Sequence, residues 1–214
     1  MKKIILILII LVAGFGVGYY IWQDLNKNVQ HSVSNISQNN TASVATTSEN
    51  NISISIKAPD LDRPVNISGD FSEEAKKTII SKIESLSQLL KKDNNLFNQW
   101  LELGIYRKMV NDYEGAKEVW EYANAIRPQN SISFNNLGDL YGYYLKDYIK
   151  AEQNFLKAIE NDKNTDYPYI KASNFYKEVI NDKQKAMNIL EQGIKANPDL
   201  QVLKDILNNL KSQN

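Results

Sequence analysis

Between Phe97 and Leu200, residue classes recur every 34 to 35 positions. A period of that length is too short for an independent domain and suits one supersecondary unit stacked on copies of itself. Three units result, 97–130, 131–165 and 166–199, the first opening FNQWLELGIYRKMVNDYEGAKEVWEYANAI. Small residues hold nine repeat-related slots: Gly104, Ala116 and Ala123; Gly138, Ala151 and Ala158; Ser173, Ala186 and Gly193. Average composition would put only about two such residues there, so these slots read as places where two helix backbones approach closely. Asp112, Asp147 and Asp182 recur at 35-residue intervals, each placed to accept the first free N–H groups of a second helix. Measured from the close-packed Gly or Ser to the following Ala, units two and three are one residue longer than unit one; the extra residue falls before that aspartate, which predicts a longer turn with the packing unchanged.

The order of large and small residues resembles the tetratricopeptide-repeat (TPR) family, W-x2-L-G-x2-Y, then A-x3-F, then a small residue and a proline. Trp100, Leu103, Gly104, Ala116, Trp120, Ala123 and Pro128 match it in unit one, with Arg107 in the tyrosine slot. Unit two carries Phe134, Leu137, Gly138, Tyr141, Ala151, Phe155 and Ala158, with Lys163 in place of proline. Unit three is the most divergent, with Tyr169, Ala172, Ser173, Tyr176, Ala186, Leu190, Gly193 and Pro198. The resemblance implies an all-α fold, a TPR-like α-solenoid of stacked helical hairpins in which the slots headed by Trp100, Phe134 and Tyr169 are equivalent. Arg107 is expected to alter packing against the neighbouring helix.

Flanking segments complete a domain over 71–214. Within 71–96, a helix from Ser72 to Lys92 puts Ile79, Ile83, Leu86 and Leu90 on one stripe, with Asp70 or Ser72 as its cap. At 200–214, Leu200, Leu203, Leu207 and Leu210 form the apolar face of a terminal capping helix.

Ahead of the domain, residues 1–23 read as a transmembrane anchor. Ile4 to Trp22 is nineteen residues without a charge, about 28 Å of helix against a hydrocarbon core of ~30 Å. Lys2 and Lys3 before it favour an N-in orientation, with the rest of the chain extracytoplasmic, and Tyr19, Tyr20 and Trp22 suit the far interface. A cleaved signal peptide is the competing reading, although no A-x-A site is present. Gly14 and Gly18 form a small-xxx-small pair through which two anchors could associate as a homo-oligomer. Residues 24–70 form a polar linker: twelve of the twenty residues at 31–50 are Ser, Thr or Asn, which predicts disorder. Ile52, Ile54 and Ile56 alternate as a strand would. Pro59 and Pro64 then favour an extended arm over a continued strand, with Val65 and Ile67 resting on the first helix. Asp60, Asp62 and Arg63 could alternatively form a recognition patch.

Composition narrows function. The 25 basic and 25 acidic residues cancel, and 20 of each lie between Phe71 and Asn214, which leaves no footprint for nucleic acid. Cysteine is absent and His31 is the only histidine. Phosphate loops, H-E-x-x-H and G-x-S-x-G are missing as well, so no catalytic, cofactor or metal residue is expected. Glu118 with Glu121, and Asp112 with Glu114, read as a solvated face and a helix start. Among clustered tyrosines, Tyr141 and Tyr148 take repeat slots, leaving Tyr143 and Tyr144 as free contacts.

What remains is binding. In the family resembled, the A helices line a concave groove for an extended peptide or partner helix. Carried over by repeat position, the groove would present Leu101, Ile105 and Lys108, then Asn135 and Asp139, then Ile170, Asn174 and Lys177. Leu101, Ile105 and Ile170 would bury apolar area, and Asn135 and Asn174 would bond the partner's backbone. The subtype that grips a C-terminal carboxylate uses a Lys and an Asn where Leu101 and Ile105 stand, so the resemblance does not imply that clamp. The expectation is a membrane-tethered scaffold for a protein or peptide partner; the alternative is a spacer or self-association module without a peptide ligand.

Overall fold

Helices begin where side chains can take their unpaired N–H groups. Ser72 accepts from Ala75 N at the head of α1 (Glu73–Lys92), which settles the choice between Asp70 and Ser72. Asp112 accepts from Gly115 N (3.0 Å) before α3 (Tyr113–Ile126). Asp147 does the same for Lys150 N (3.1 Å) before α5 (Tyr148–Asn161), and Asp182 for Lys185 N (2.8 Å) before α7 (Lys183–Ala196). Between them lie α2 (Phe97–Met109), α4 (Ser131–Asp139) and α6 (Tyr167–Asn174), and α8 (Gln201–Ser212) comes after α7.

The computed structural model describes residues 57–212, all within one unit of the chain, Ile54–Asn214. It is all-α, with eight α-helices and no strand among the described residues. No helix among them is long and apolar enough to cross a membrane. The anchor expected at 1–23 with Gly14 and Gly18, the Ser/Thr/Asn-rich segment and the alternating isoleucines at 52–56 lie outside the described residues.

Packing is between sequential neighbours: each helix from α1 to α8 rests on the next, and α4 also meets α6. Trp100, Trp120, Phe155 and Tyr169 are all fully buried between them. The small slots explain the closeness: a Cβ on Gly138 would lie 2.7 Å from the Phe155 ring, while Ser173 fits by donating its hydroxyl to Ala186 O at 3.1 Å. α1 buries Ile79, Ile83, Leu86 and Leu90 at one end, and α8 buries Leu203, Leu207 and Leu210 at the other. Each second helix also ties back to the loop that opens its own unit. Arg127 bonds Asn95, Asn161 bonds Pro128 O and Asn197 bonds Asn164 O.

The extra residue of units two and three does not lengthen the turn. The helix bearing it widens into a π-helical segment, Leu140–Leu145 after α4 and Phe175–Val179 after α6. The cause is a fixed hydrogen bond at the turn. Asp112 N reaches Arg107 O at 2.9 Å, Asp147 N reaches Tyr141 O at 3.0 Å and Asp182 N reaches Tyr176 O at 2.8 Å. These partners are five residues apart in the first unit and six in the others, so the added residue must bulge inside the helix. Before each aspartate the chain turns left-handed, at Asn111, Lys146 and Asn181 (φ 64°, 59° and 59°). Asn tolerates that conformation better than Lys. Replacing the exposed Lys146 with Gly should therefore raise unfolding free energy by about 1 kcal/mol, measurable by urea titration; no gain would mean that the lysine is unstrained.

The arm is docked from 57 to 71. Ala58, Leu61, Val65, Ile67 and Phe71 pack against the core. Ser68 N and Oγ both donate to Val110 O, and Asn111 Nδ2 donates to Ser68 O. Arg63 reaches Asp112 and Glu118 at 3.2 Å, and Asp62 pairs with Lys91. Asp62 and Arg63 are thus engaged inside the molecule.

Candidate functional site

The residues expected to line a groove fall into three groups. Leu101 is 5% exposed and belongs to the core, and its carbonyl accepts from Trp120 Nε1 at 3.1 Å. Ile105 and Ile170 are half-buried against the same core. Asn174 is half-buried and Lys177 is exposed. Lys108, Asn135 and Asp139 form the third group, brought together with Lys171 and two tyrosines.

Helical geometry places them. Asn135, Asp139 and Tyr143 stand four residues apart along α4 and its π-helical extension, which puts them on one side. Asp139 pairs through Oδ2 with Lys171 of α6, while its Oδ1 is buried without a hydrogen-bond partner among the described residues. Asn135 has no exposed surface, and neither its Oδ1 nor its Nδ2 has a partner there. Tyr143 Oη donates to Glu178 Oε2 at 2.9 Å, joining the two π-helical segments. From α2, Lys108 Nζ lies 5.9 Å from the centre of the Trp120 ring and 5.5 Å from that of Tyr144, and Tyr144 in turn lies 4.9 Å from Tyr113.

This crowding sets the electrostatics. Burial pulls the Lys108 ammonium below the ordinary lysine range, Asp139 opposes that pull and Lys171 reinforces it. Tyr143 is pushed well up, by burial first and then by its bond to the Glu178 carboxylate, so it stays a neutral donor. Around one carboxylate, Asp139, two ammonium groups gather.

The tyrosine slot behaves differently in each unit. Tyr141 Oη donates to Glu121 of α3 and Tyr176 Oη to Glu152 of α5, both at 2.6 Å, so each reaches back to the preceding unit. Arg107 instead turns onto its own turn residue, Asp112, at 2.7 Å, and is 1% exposed.

Lys171 carries no signal in the sequence because its partner Asp139 is 32 positions away, with no local pattern linking them. Tyr143 and Tyr144, expected as free contacts, are both engaged. Repeat position points to Lys108, Asn135 and Asp139, and the sign that α4 differs is that Asn135 and Asp139 replace the apolar Leu101 and Ile105 of unit one. The chain matches no protein-family model and no curated protein.

Proposed function

We infer that the chain is a tethered docking scaffold of TPR-like helical hairpins, which holds an extended segment of a partner protein against the side formed by α2, α4 and α6. The helix pairs of one period and the neighbour-to-neighbour packing support the repeat architecture. Ile4 to Trp22 supplies the membrane tether in this reading.

One observation carries the docking role. Unit one shows that this position of the repeat accepts Leu, yet α4 places Asn135 there with both amide atoms buried and without a partner among the described residues. Leaving buried polar atoms unsatisfied costs about 1–3 kcal/mol per group. A passive spacer gains nothing from that cost. A scaffold whose partner opens this side and bonds the buried amide does.

Asn135→Leu separates the two roles. The variant should unfold at equal or higher denaturant, with a gain of about 1 kcal/mol, and should lose tenfold or more in affinity for peptides selected against the unaltered chain. Retained affinity would reject docking at this side and favour the spacer.

A further inference from the structure

Three lysines among the described residues lie over aromatic rings, and comparing them isolates one. Lys150 covers Tyr141 at 5.2 Å and has the Asp147 carboxylate 3.6 Å away. Lys185 covers Tyr176 at 5.3 Å and has Glu152 at 3.6 Å. Lys108 covers Trp120 and Tyr144, and no carboxylate among the described residues lies within ion-pairing distance of it. The carboxylate acting on it, Asp139, is committed to Lys171. The repeat-equivalent positions hold Gly142, which brings no charge, and the exposed Lys177.

We propose that Lys108 is the seat for an acidic side chain, Asp or Glu, carried within the docked segment, with the Trp120 and Tyr144 rings as its walls. This rests on the docking role proposed for the α2, α4 and α6 side and names the chemistry that the partner must bring. An ammonium held partly out of water against two ring faces keeps its charge at a cost, and an incoming carboxylate relieves that cost through a charge-assisted hydrogen bond. The adjoining buried groups point to a chain that runs on past the seat instead of ending there. Among the described residues Asp139 Oδ1 and Asn135 Oδ1 lack donors and Asn135 Nδ2 lacks an acceptor, a set met by backbone N–H and C=O groups of alternate residues. Their spacing of one helical turn, about 5.4 Å, is close to the ~6.6 Å between alternate residues of an extended chain.

The full chain in detergent micelles is tested with two pools of N-acetylated, C-amidated nonapeptides, alike except for a central Glu or a central Gln. The Glu pool should bind at least tenfold better, and Lys108→Met, which keeps the stem over the rings, should erase that preference. Lys150→Met should leave it intact. Should Lys108→Met melt early, Lys108→Gln makes the same comparison. A Glu preference surviving in the Lys108 variants would overturn the seat. Equal binding of both pools, abolished by Asn135→Leu, would overturn the seat while leaving the docking side in place. Binding by neither pool would remove both. A Gln pool with a free C-terminus that matches the Glu pool would show that a chain terminus, not a side chain, is the anion.

Discussion

Replacing Asp112 with Ala is expected to cost about 3–5 kcal/mol of stability, against about 1 kcal/mol for Asp147→Ala or Asp182→Ala. The three aspartates occupy equivalent positions and cap equivalent helices, so the sequence alone would rank them equal. Surroundings separate them. Asp112 receives Gly115 N on one oxygen and the fully buried Arg107 guanidinium on the other, with Arg63 of the arm at 3.2 Å as well. Removing the carboxylate strands a buried cation, the expensive way to break such a pair. Asp147 has only the exposed Lys150 beside its cap bond, a pair worth little in water.

Urea unfolding of the full chain, followed by helical circular dichroism, measures the three losses side by side. Asp112→Asn refines the test, since it keeps an acceptor for Gly115 N and loses the charge; an intermediate cost of about 2 kcal/mol is expected. Equal losses at all three positions would mean that Arg107 does not depend on Asp112.

The repeat period, the small slots, the aspartate caps and both flanking amphipathic helices were legible in the sequence because each is a local pattern with a local cause. The contents of the candidate site were less so, because they depend on which residues the packing brings together across units. Leu101, expected to face a partner, is 5% exposed and belongs to the core. The extra residue of units two and three was visible, but its destination was set by the bond from the aspartate N–H to the slot carbonyl, which no spacing rule reveals. Arg107 was seen as a departure from tyrosine. Its use was not, since the repeat pattern gives no sign that a cation in the tyrosine slot turns onto Asp112, five positions on, instead of reaching the preceding helix. The same holds for Lys171 and Asp139, and for the unmet hydrogen-bonding capacity of Asn135.

The second large effect concerns the contact between α2 and α3. A Cβ added at Gly104 would lie 2.6 Å from Trp120 Cδ1 and closer still to Nε1. The ring cannot yield easily, being 1% exposed and fixed by its bond to Leu101 O. Ala is favoured over Gly inside a helix by about 1 kcal/mol, and overpacking of this severity costs about 3 kcal/mol or more, so Gly104→Ala should lose a net ~2–3 kcal/mol. The third unit contains the compensating arrangement: Ser173 carries a side chain in the equivalent slot, opposite Leu190 in place of an aromatic ring. In a Trp120→Leu background the cost of Gly104→Ala should therefore fall below about 1 kcal/mol, a coupling that a double-mutant cycle reads directly. An undiminished cost in that background would mean that the indole is not what keeps residue 104 small.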